Sequence, residues 1–375
     1  MIVGYDAKRA FLNNTGLGNY SRWLIKSMVQ FHPENQYRLY TPRIRDNRHK
    51  NELSKLKNIC AVTPGRMFLP SWWRSQGVVK NLRTDKVDLY HGLSHELPFS
   101  IKESGIKTVL TVHDLIFMRF PQYFKWIDRL IYKAKLAYAC RTADRIVAIS
   151  QKTKDDLVEL LNIPASKIEV IYQGCDNTFT LYNSEAYRTK IRKKYNLPKR
   201  YILSVGTIEE RKNLLLLVKA LARSKDSIRL IVVGKATDYI EEVKQFINAS
   251  NTAYRVTFLH DVTFDELPVL YQLATLFVYP SRYEGFGIPV IEALCSGVPV
   301  IAATGSCLEE AGGPDSLYIN PDDDEDLARK ISRVWNSPAL RQQMITKGFE
   351  YAKNFNHEKL ADQLMQLYQK TLNHA

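Results

Sequence analysis

The sequence predicts an α/β protein made of two Rossmann-like domains with parallel sheets. Three observations carry this reading. Short apolar runs alternate with helix-length segments along the whole chain. Several runs end in glycine or in a polar residue, as at Gly92, Asp114, Gly206 and Gly234, and in open parallel sheets ligands bind beyond such strand ends. A polar, basic stretch at 180–198 shows no strand pattern. It reads as a linker that divides a domain at 1–180 from one at 181–356, followed by a helical tail at 357–375.

In chain order, Ile2-Val-Gly-Tyr-Asp6 is the first strand. Gly16 and Gly18 then precede an amphipathic helix, and free N–H groups and the dipole at such a helix start favour a phosphate. A dinucleotide Gly-x-Gly-x-x-Gly is not completed, because Ser21 stands at its third glycine. Gln36-Tyr-Arg-Leu-Tyr40 is the second strand. The chain from 41 to 57 is polar and basic, and Arg66-Met-Phe-Leu-Pro-Ser-Trp-Trp-Arg74 follows. One of Trp72 and Trp73 is expected in the core, the other against acceptor or lipid. Residues 87–92 and 108–114 are the next strands, and they carry His91, His95, His113 and Asp114 at or just past their carboxyl ends. A lone histidine there is more often structural than catalytic. Residues 120–143 place apolar side chains at helical spacing with Lys, Arg and aromatics between. They form either a core helix with a solvated basic face or a membrane-interface helix. A strand at 145–150 follows, Ser150 caps a helix through Leu161, and 168–176 is the last strand of the half and its exit.

The second half opens with Tyr201-Ile-Leu-Ser-Val-Gly206, then Thr207-Ile-Glu-Glu-Arg-Lys-Asn213 and a helix at 214–223. Residues 227–234 repeat the strand–glycine pattern, and 256–262 form another strand and turn. The run Asp322-Asp-Asp-Glu-Asp326 reads as the acidic first turn of a helix reaching Trp335, not as a metal site. Arg211 and Lys212 stand at a helix start, where the dipole disfavours cations. A compensating anion, such as a departing diphosphate, would remove that misfit.

Between a strand at 274–280 and another at 298–302, Pro289 to Leu294 reads as a helix, with Pro289 in its first position and Gly297 at its left-handed end. Glu284-Gly-Phe-Gly287 therefore delivers the chain into a helix N-terminus, a setting for phosphate, and its glycines let the backbone approach a ligand. Glu284 and Glu292 would repel phosphate and better accept hydrogen bonds from hydroxyls. Hydroxyls on both sides of a phosphate describe a nucleotide sugar. The alternative is a strand–loop–helix whose glutamates are merely solvated.

Glu284 and Glu292, with Gly-Phe-Gly between them and Gly297-Val-Pro-Val300 after, resemble the donor-site signature of family 4 retaining glycosyltransferases of the GT-B fold (glycosyl transferases group 1). Within that family the chain resembles bacterial mannosyltransferases of surface-polysaccharide synthesis. The resemblance implies two domains facing each other across a central cleft. The first would bind the acceptor, with 357–375 packing back on it, and the second the donor. It implies that Glu284 contacts the donor sugar, that Gly285, Phe286, Gly287 and Ile288 meet sugar and phosphate, and that Glu292 holds the ribose. Thr15-Gly-Leu-Gly18 is similar to the family loop facing the donor diphosphate. Val112-His-Asp-Leu115 resembles the context of the donor-sugar histidine. Gly206, Arg211 and Lys212 resemble the family's phosphate-binding segment, although Thr207 stands where many members have an arginine. His113, Lys212 and Glu284 are then the expected catalytic residues. His91, His95 and Asp114 are the expected acceptor residues, and Gly234, His260 and Val262 the walls of the base site.

The segment from Val205 to Asn213 looks like that of mannosyltransferases using GDP-mannose. The implied reaction moves a hexose to a hydroxyl of a glycan or lipid-linked saccharide with retention, with no metal or cofactor. Two departures stand out: Tyr172-Gln173 replaces a usual Pro-Asn, and His357 replaces a common Trp. Rival readings are a nucleotide-sugar epimerase, a phosphorylase, for which no pyridoxal-phosphate lysine site can be placed, and a basic nucleic-acid binder.

Composition bounds the rest. A chain of 375 residues can bury two cores, and no apolar run approaches the ~18 residues of a membrane span. The first residues read as a strand, not a signal peptide. Five cysteines without paired spacing point to a reducing, cytoplasmic compartment. Of the net charge of +14, residues 1–180 carry +12, from 28 basic and 16 acidic side chains. Such asymmetry fits a polyanionic partner. No nucleic-acid motif accompanies it, so the expected partner is an anionic membrane surface, met peripherally through 41–83 and 119–141 with the second domain free in the cytosol.

Overall fold

A computed structural model describes residues 1–65, 72–224 and 226–373. The chain forms two compact units, Met1–Gly174 with Phe355–Ala375 and Cys175–Asn354.

The first unit holds β1 (Ile2–Asp6), β2 (Gln36–Tyr40), β3 (Ile59–Val62), β4 (Leu89–Gly92), β5 (Lys107–Val112), β6 (Arg145–Ala148) and β7 (Ile168–Val170). They lie in the order β3-β2-β1-β4-β5-β6-β7, and every pairing is parallel. The order changes direction between β1 and β4, where Tyr5 pairs with His91. The C-terminal helix His357–Asn373 belongs to this unit, and the Tyr368 hydroxyl lies 2.7 Å from His91 Nδ1.

The second unit holds β8 (Ile202–Val205), β9 (Leu230–Val233), β10 (Val256–Leu259), β11 (Leu276–Tyr279), β12 (Val300–Ala303) and β13 (Leu317–Ile319). Their order is β10-β9-β8-β11-β12-β13, again all parallel, with the change of direction between β8 and β11. β9, β11 and β12 are apolar and buried throughout, as strands covered by helices on both faces must be.

Four features depart from the sequence reading. The first unit ends at Gly174, not near 180, because Phe179 is buried in the second unit with its ring 5.9 Å from Phe264 and 5.6 Å from Tyr271. Within the expected linker, Glu185–Lys194 is a helix, capped by Ser184 Oγ, which accepts from the Tyr187 N–H. Only Ile191 of that helix is buried, so its apolar period is too thin to read. In helix Trp126–Thr142, burial is confined to Leu136, Ala139 and Cys140, while Trp126, Ile127, Leu130, Ile131 and Tyr132 are exposed. Its second half joins the core through those three residues, and its first half does not. The helix after the expected Pro289 start in fact begins at Ile288.

Other local expectations hold. Asp323 caps helix Asp324–Asn336 by accepting from the Asp326 N–H, and Ser150 caps Gln151–Leu161. Trp73 is buried, with its indole N–H on Asn81, while Trp72 is 46% exposed. The rest of the basic–aromatic segment, 66–71, lies outside the described residues. Among the described residues no helix is long and apolar enough to cross a membrane.

Candidate functional site

In the second unit the chain leaves β8 through Gly206 and Thr207 and turns through Glu210–Lys212. Asn213 follows in the left-handed region and donates to the carbonyls of Pro280 and Pro321, at 3.3 and 2.7 Å. This ties the turn to the exit of β11. Lys212 thereby reaches Glu284. Its ammonium donates to the Glu284 carboxylate and, at 2.6 Å, to the Tyr279 hydroxyl. Tyr279 and Ser281 donate to the same carboxylate oxygen, at 3.0 and 2.6 Å. The other oxygen lies 2.9 Å from the Arg211 guanidinium, which also pairs with Glu209 and donates to the Tyr283 carbonyl.

Burial alone would raise the Glu284 carboxyl, but Lys212 and Arg211 outweigh it and hold it at about 2. Burial pulls the Lys212 ammonium below its ordinary value, and Glu284 only partly offsets this. Both cations assigned to a diphosphate are therefore counter-ions of Glu284 in this structure, and Arg211 has its guanidinium shared among three acceptors. Removing Glu284 would leave both cations without their shared anion.

Gly285 and the buried Phe286 carry the loop to Gly287, which caps helix Ile288–Cys295 at φ +130, where a side chain would be strained. The Cys307 thiol donates to the Glu284 carbonyl at 3.1 Å and fixes the loop from behind. Glu292, inside the helix, accepts from the Tyr271 hydroxyl at 2.9 Å, and burial raises its carboxyl to about 7. Gly206 lines a small recess with Lys212 and Tyr279. Gly234 backs onto Gly206, the exposed His260 ring sits 3.0 Å from the Gly234 carbonyl, and Val262 is half-buried in the next turn.

In the first unit Gly16 opens helix Gly16–Phe31 with nothing where its Cβ would be. Gly18 differs: a Cβ there would lie 2.0 Å from the Asn13 carbonyl oxygen, so backbone packing dictates that glycine. His113 is buried. Its Nε2 donates to the Leu93 carbonyl at 2.8 Å, and its N–H donates to His95 Nε2 at the same distance. Burial lowers His113 to about 3 and His95 to about 4. His91, expected near the acceptor, is instead wholly buried. Its ring nitrogens are taken by Tyr368 and Thr111, so it joins the C-terminal helix to the sheet. Asp114 accepts from the Ile116 N–H, a turn-capping contact.

Sequence reasoning missed Tyr279, Ser281, Tyr271 and Cys307, which hold the two glutamates. Tyr279 and Ser281 flank Pro280 in the same stretch, but only the fold aims both at one carboxylate oxygen.

Two doubly wound parallel domains of this kind define the GT-B class. Sucrose-phosphate synthase from Thermosynechococcus elongatus superposes with a TM-score of 0.77 at 20% identity, over the whole of both chains. HepE from Anabaena, solved with UDP and glucose, gives 0.75 at 19% identity over 98% of this chain and 99% of that one. The family description "Glycosyl transferases group 1" matches residues 187–351, and "Glycosyltransferase Family 4" matches 16–179. O-antigen chain mannosyltransferase RfbU of Salmonella typhimurium is 30% identical over 77% of this chain and 76% of its own length. O-antigen chain mannosyltransferase B of Escherichia coli is 28% identical over 94% and 96%. The chain belongs to the group 1 glycosyltransferases of the GT-B fold.

Proposed function

We propose that the protein transfers mannose from GDP-mannose to a hydroxyl of a glycan or lipid-linked saccharide in cell-surface polysaccharide synthesis, with retention of anomeric configuration. The observation that carries this is the buried Lys212–Glu284–Arg211 cluster at the β8/β11 switch point, in a chain whose relatives are named O-antigen mannosyltransferases. Ligands of open α/β sheets bind at such points.

In this reading Lys212 is the phosphate contact. It is held at the strand ends by Tyr279 and Glu284 and gains a second anion when the diphosphate arrives. Arg211, engaged by Glu209 and Glu284, positions the carboxylate. The N-terminus of helix Ile288–Cys295 faces the phosphate, and Glu292 accepts from the ribose. The acceptor hydroxyl attacks on the face the diphosphate leaves, and its proton passes to the departing phosphate. Lys212 and a helix N-terminus stabilise the leaving group, and the reaction is written without a metal or cofactor. His113, kept neutral by burial, orients rather than exchanges a proton.

Incubation with GDP-mannose and with UDP-hexoses, following release of nucleoside diphosphate, tests the reading. Release from GDP-mannose and tighter binding of GDP than UDP in calorimetry are expected. Tighter UDP binding would replace the donor, and no release from any nucleotide sugar would remove the activity.

The exposed Trp72, Trp126, Ile127, Leu130 and Ile131, on the half carrying +12, support peripheral attachment to an anionic membrane on its cytoplasmic side. Each Lys or Arg near such a surface adds about 1 kcal/mol. Vesicle sedimentation should show binding to anionic vesicles that falls with salt. Equal partition to neutral vesicles would refute the electrostatic part.

A further inference from the structure

Tyr279, the last residue of β11, carries a hydroxyl bonded to two ions of opposite sign, Lys212 and Glu284. Its ring is buried and stacks on Phe277 with centres 5.9 Å apart, and its backbone pairs with Ala302 of β12 inside the sheet. An aromatic side chain with two torsions, set on a central strand, is a rigid mount. Lys212 is the opposite, a point charge on a flexible four-carbon stem, rooted in the turn Glu210–Lys212. That stem passes Gly206, where a Cβ would sit 3.8 and 3.9 Å from its Cε and Cδ.

The hydrogen bonds of the cluster are unevenly shared. A carboxylate offers about two lone-pair sites on each oxygen. Glu284 Oε1 meets three donors, Lys212, Tyr279 and Ser281, while Oε2 meets Arg211. Oε1 therefore has one donor in excess, and the two hydroxyls suffice to fill it. The ammonium has three hydrogens, and among the described residues its hydrogen bonds go to Glu284 and Tyr279. Those two partners differ in kind. The hydroxyl is neutral, so it accepts from the ammonium at 2.6 Å without competing for charge with an incoming anion. Burial and the Glu284 charge hold the Tyr279 hydroxyl well above its ordinary value, so it stays protonated.

We propose that Tyr279 is the positioning residue for Lys212, its hydroxyl being the fixed point about which the ammonium turns toward the phosphate of the donor. Lys212 gains the phosphate, and as its bond to Glu284 relaxes, Tyr279 and Ser281 keep the carboxylate oxygen filled. The ammonium is thereby presented to the departing oxygen in one orientation, and misplacement of such a group costs rate. That the anion is a donor phosphate rests on the function proposed above; the link between hydroxyl and ammonium does not.

Tyr279→Phe keeps the ring with its packing and removes the hydroxyl. The variant should melt with the wild type. Its kcat for nucleoside diphosphate release, from whichever nucleotide sugar the wild type uses, should fall at least tenfold with the donor KM little changed. The pH profile separates positioning from support of the fold. The groups facing Lys212 are Glu284, Arg211, Glu209 and Tyr279. A hydroxyl that accepts from the ammonium favours its charged form. Removing it lowers the pKa of Lys212, so the alkaline limb of kcat/KM should move to lower pH. Ser281→Ala takes the other hydroxyl from the same carboxylate oxygen and should leave that limb in place, whatever it does to the rate. A Tyr279→Phe enzyme with wild-type kcat, or one whose alkaline limb is unmoved, overturns the proposal. If the wild type turns over no nucleotide sugar, the proposed function falls, while NMR titration of the Lys212 ε-carbon still decides the role of Tyr279. A lower pKa in Tyr279→Phe sustains the hydroxyl's hold on the ammonium, and an equal one removes it.

Discussion

The two sheets share a topology at their centres and treat buried titratable groups in opposite ways. Beyond β8 and β11, the buried Glu284 and the half-buried Lys212 and Arg211 stay charged, because each burial cost is met by an opposite charge. At the ends of β4 and β5, His91 and His113 are buried and His95 half-buried, with no carboxylate hydrogen-bonded to the three rings among the described residues, and desolvation holds them neutral. Desolvation thus leaves an ion cluster in one unit and an uncharged imidazole cluster in the other. The difference lies in the partner, not in the burial. The first unit also pairs a buried charge, Asp6 with Arg74, so the contrast is between the two clusters and not between the units as wholes.

The largest test of this contrast is Glu284→Ala. It leaves Lys212 and Arg211 facing each other without their shared anion. Breaking a buried pair from one side typically costs about 3–5 kcal/mol, and that loss should appear in chemical denaturation together with loss of turnover. A variant as stable as the wild type would mean that water screens the cluster.

Lys212→Ala should act mainly on rate. Glu284 retains Arg211, Ser281 and Tyr279, so the fold suffers less than when the carboxylate goes. Removing a charge-assisted contact to the leaving group costs on the order of 2–4 kcal/mol in the barrier. Initial rates of nucleoside diphosphate release read this directly, and near-normal rates would refute the phosphate role.

The histidine side of the comparison predicts a smaller effect of a different kind. His91→Phe removes one partner from each of the Tyr368 and Thr111 hydroxyls, which keep Tyr5 and Tyr20, at about 0.5–1.5 kcal/mol per bond. Stability should fall while the acceptor KM is unchanged. A raised KM at unchanged stability would return His91 to the acceptor site.

Much of this was legible in the sequence for a physical reason. Parallel strands buried on both faces must be apolar runs, so β9, β11 and β12 announce themselves. The Glu284–Glu292 stretch was legible because its loop, glycine and helix start lie within nine residues. Helix Glu185–Lys194 was not, since a single buried side chain gives no period. Nor was the pairing of Glu284 with Lys212, 72 residues away, because charge type says nothing of which opposite charge the fold will bring. The histidines marked strand ends correctly, but a sequence cannot tell a ring pointing into a crevice from one pointing into the core. The Asp6–Arg74–Glu96 network was invisible for the same reason.

Glu292 sharpens the comparison, because it is a carboxylate treated as the histidines are. It lies in the second unit, yet among the described residues its hydrogen-bond partner is the Tyr271 hydroxyl and not a cation, and burial raises it from 4.5 to about 7. A folded-state value above the unfolded one contributes stability that is fully present below about pH 4.5 and is lost as pH rises through about 7. Glu284 has the opposite sign: its contribution is present above about pH 4.5 and is lost as pH falls toward 2. Glu292→Gln keeps an acceptor for Tyr271 and removes the titration. Melting curves of variant and wild type should coincide near pH 4.5, and the variant should become the more stable as pH rises to 7 and beyond. The gap should then stay constant. A gap that opens only below pH 4.5, or one independent of pH, would show that Glu292 is ionised in the folded protein throughout and that an unseen cation pairs with it.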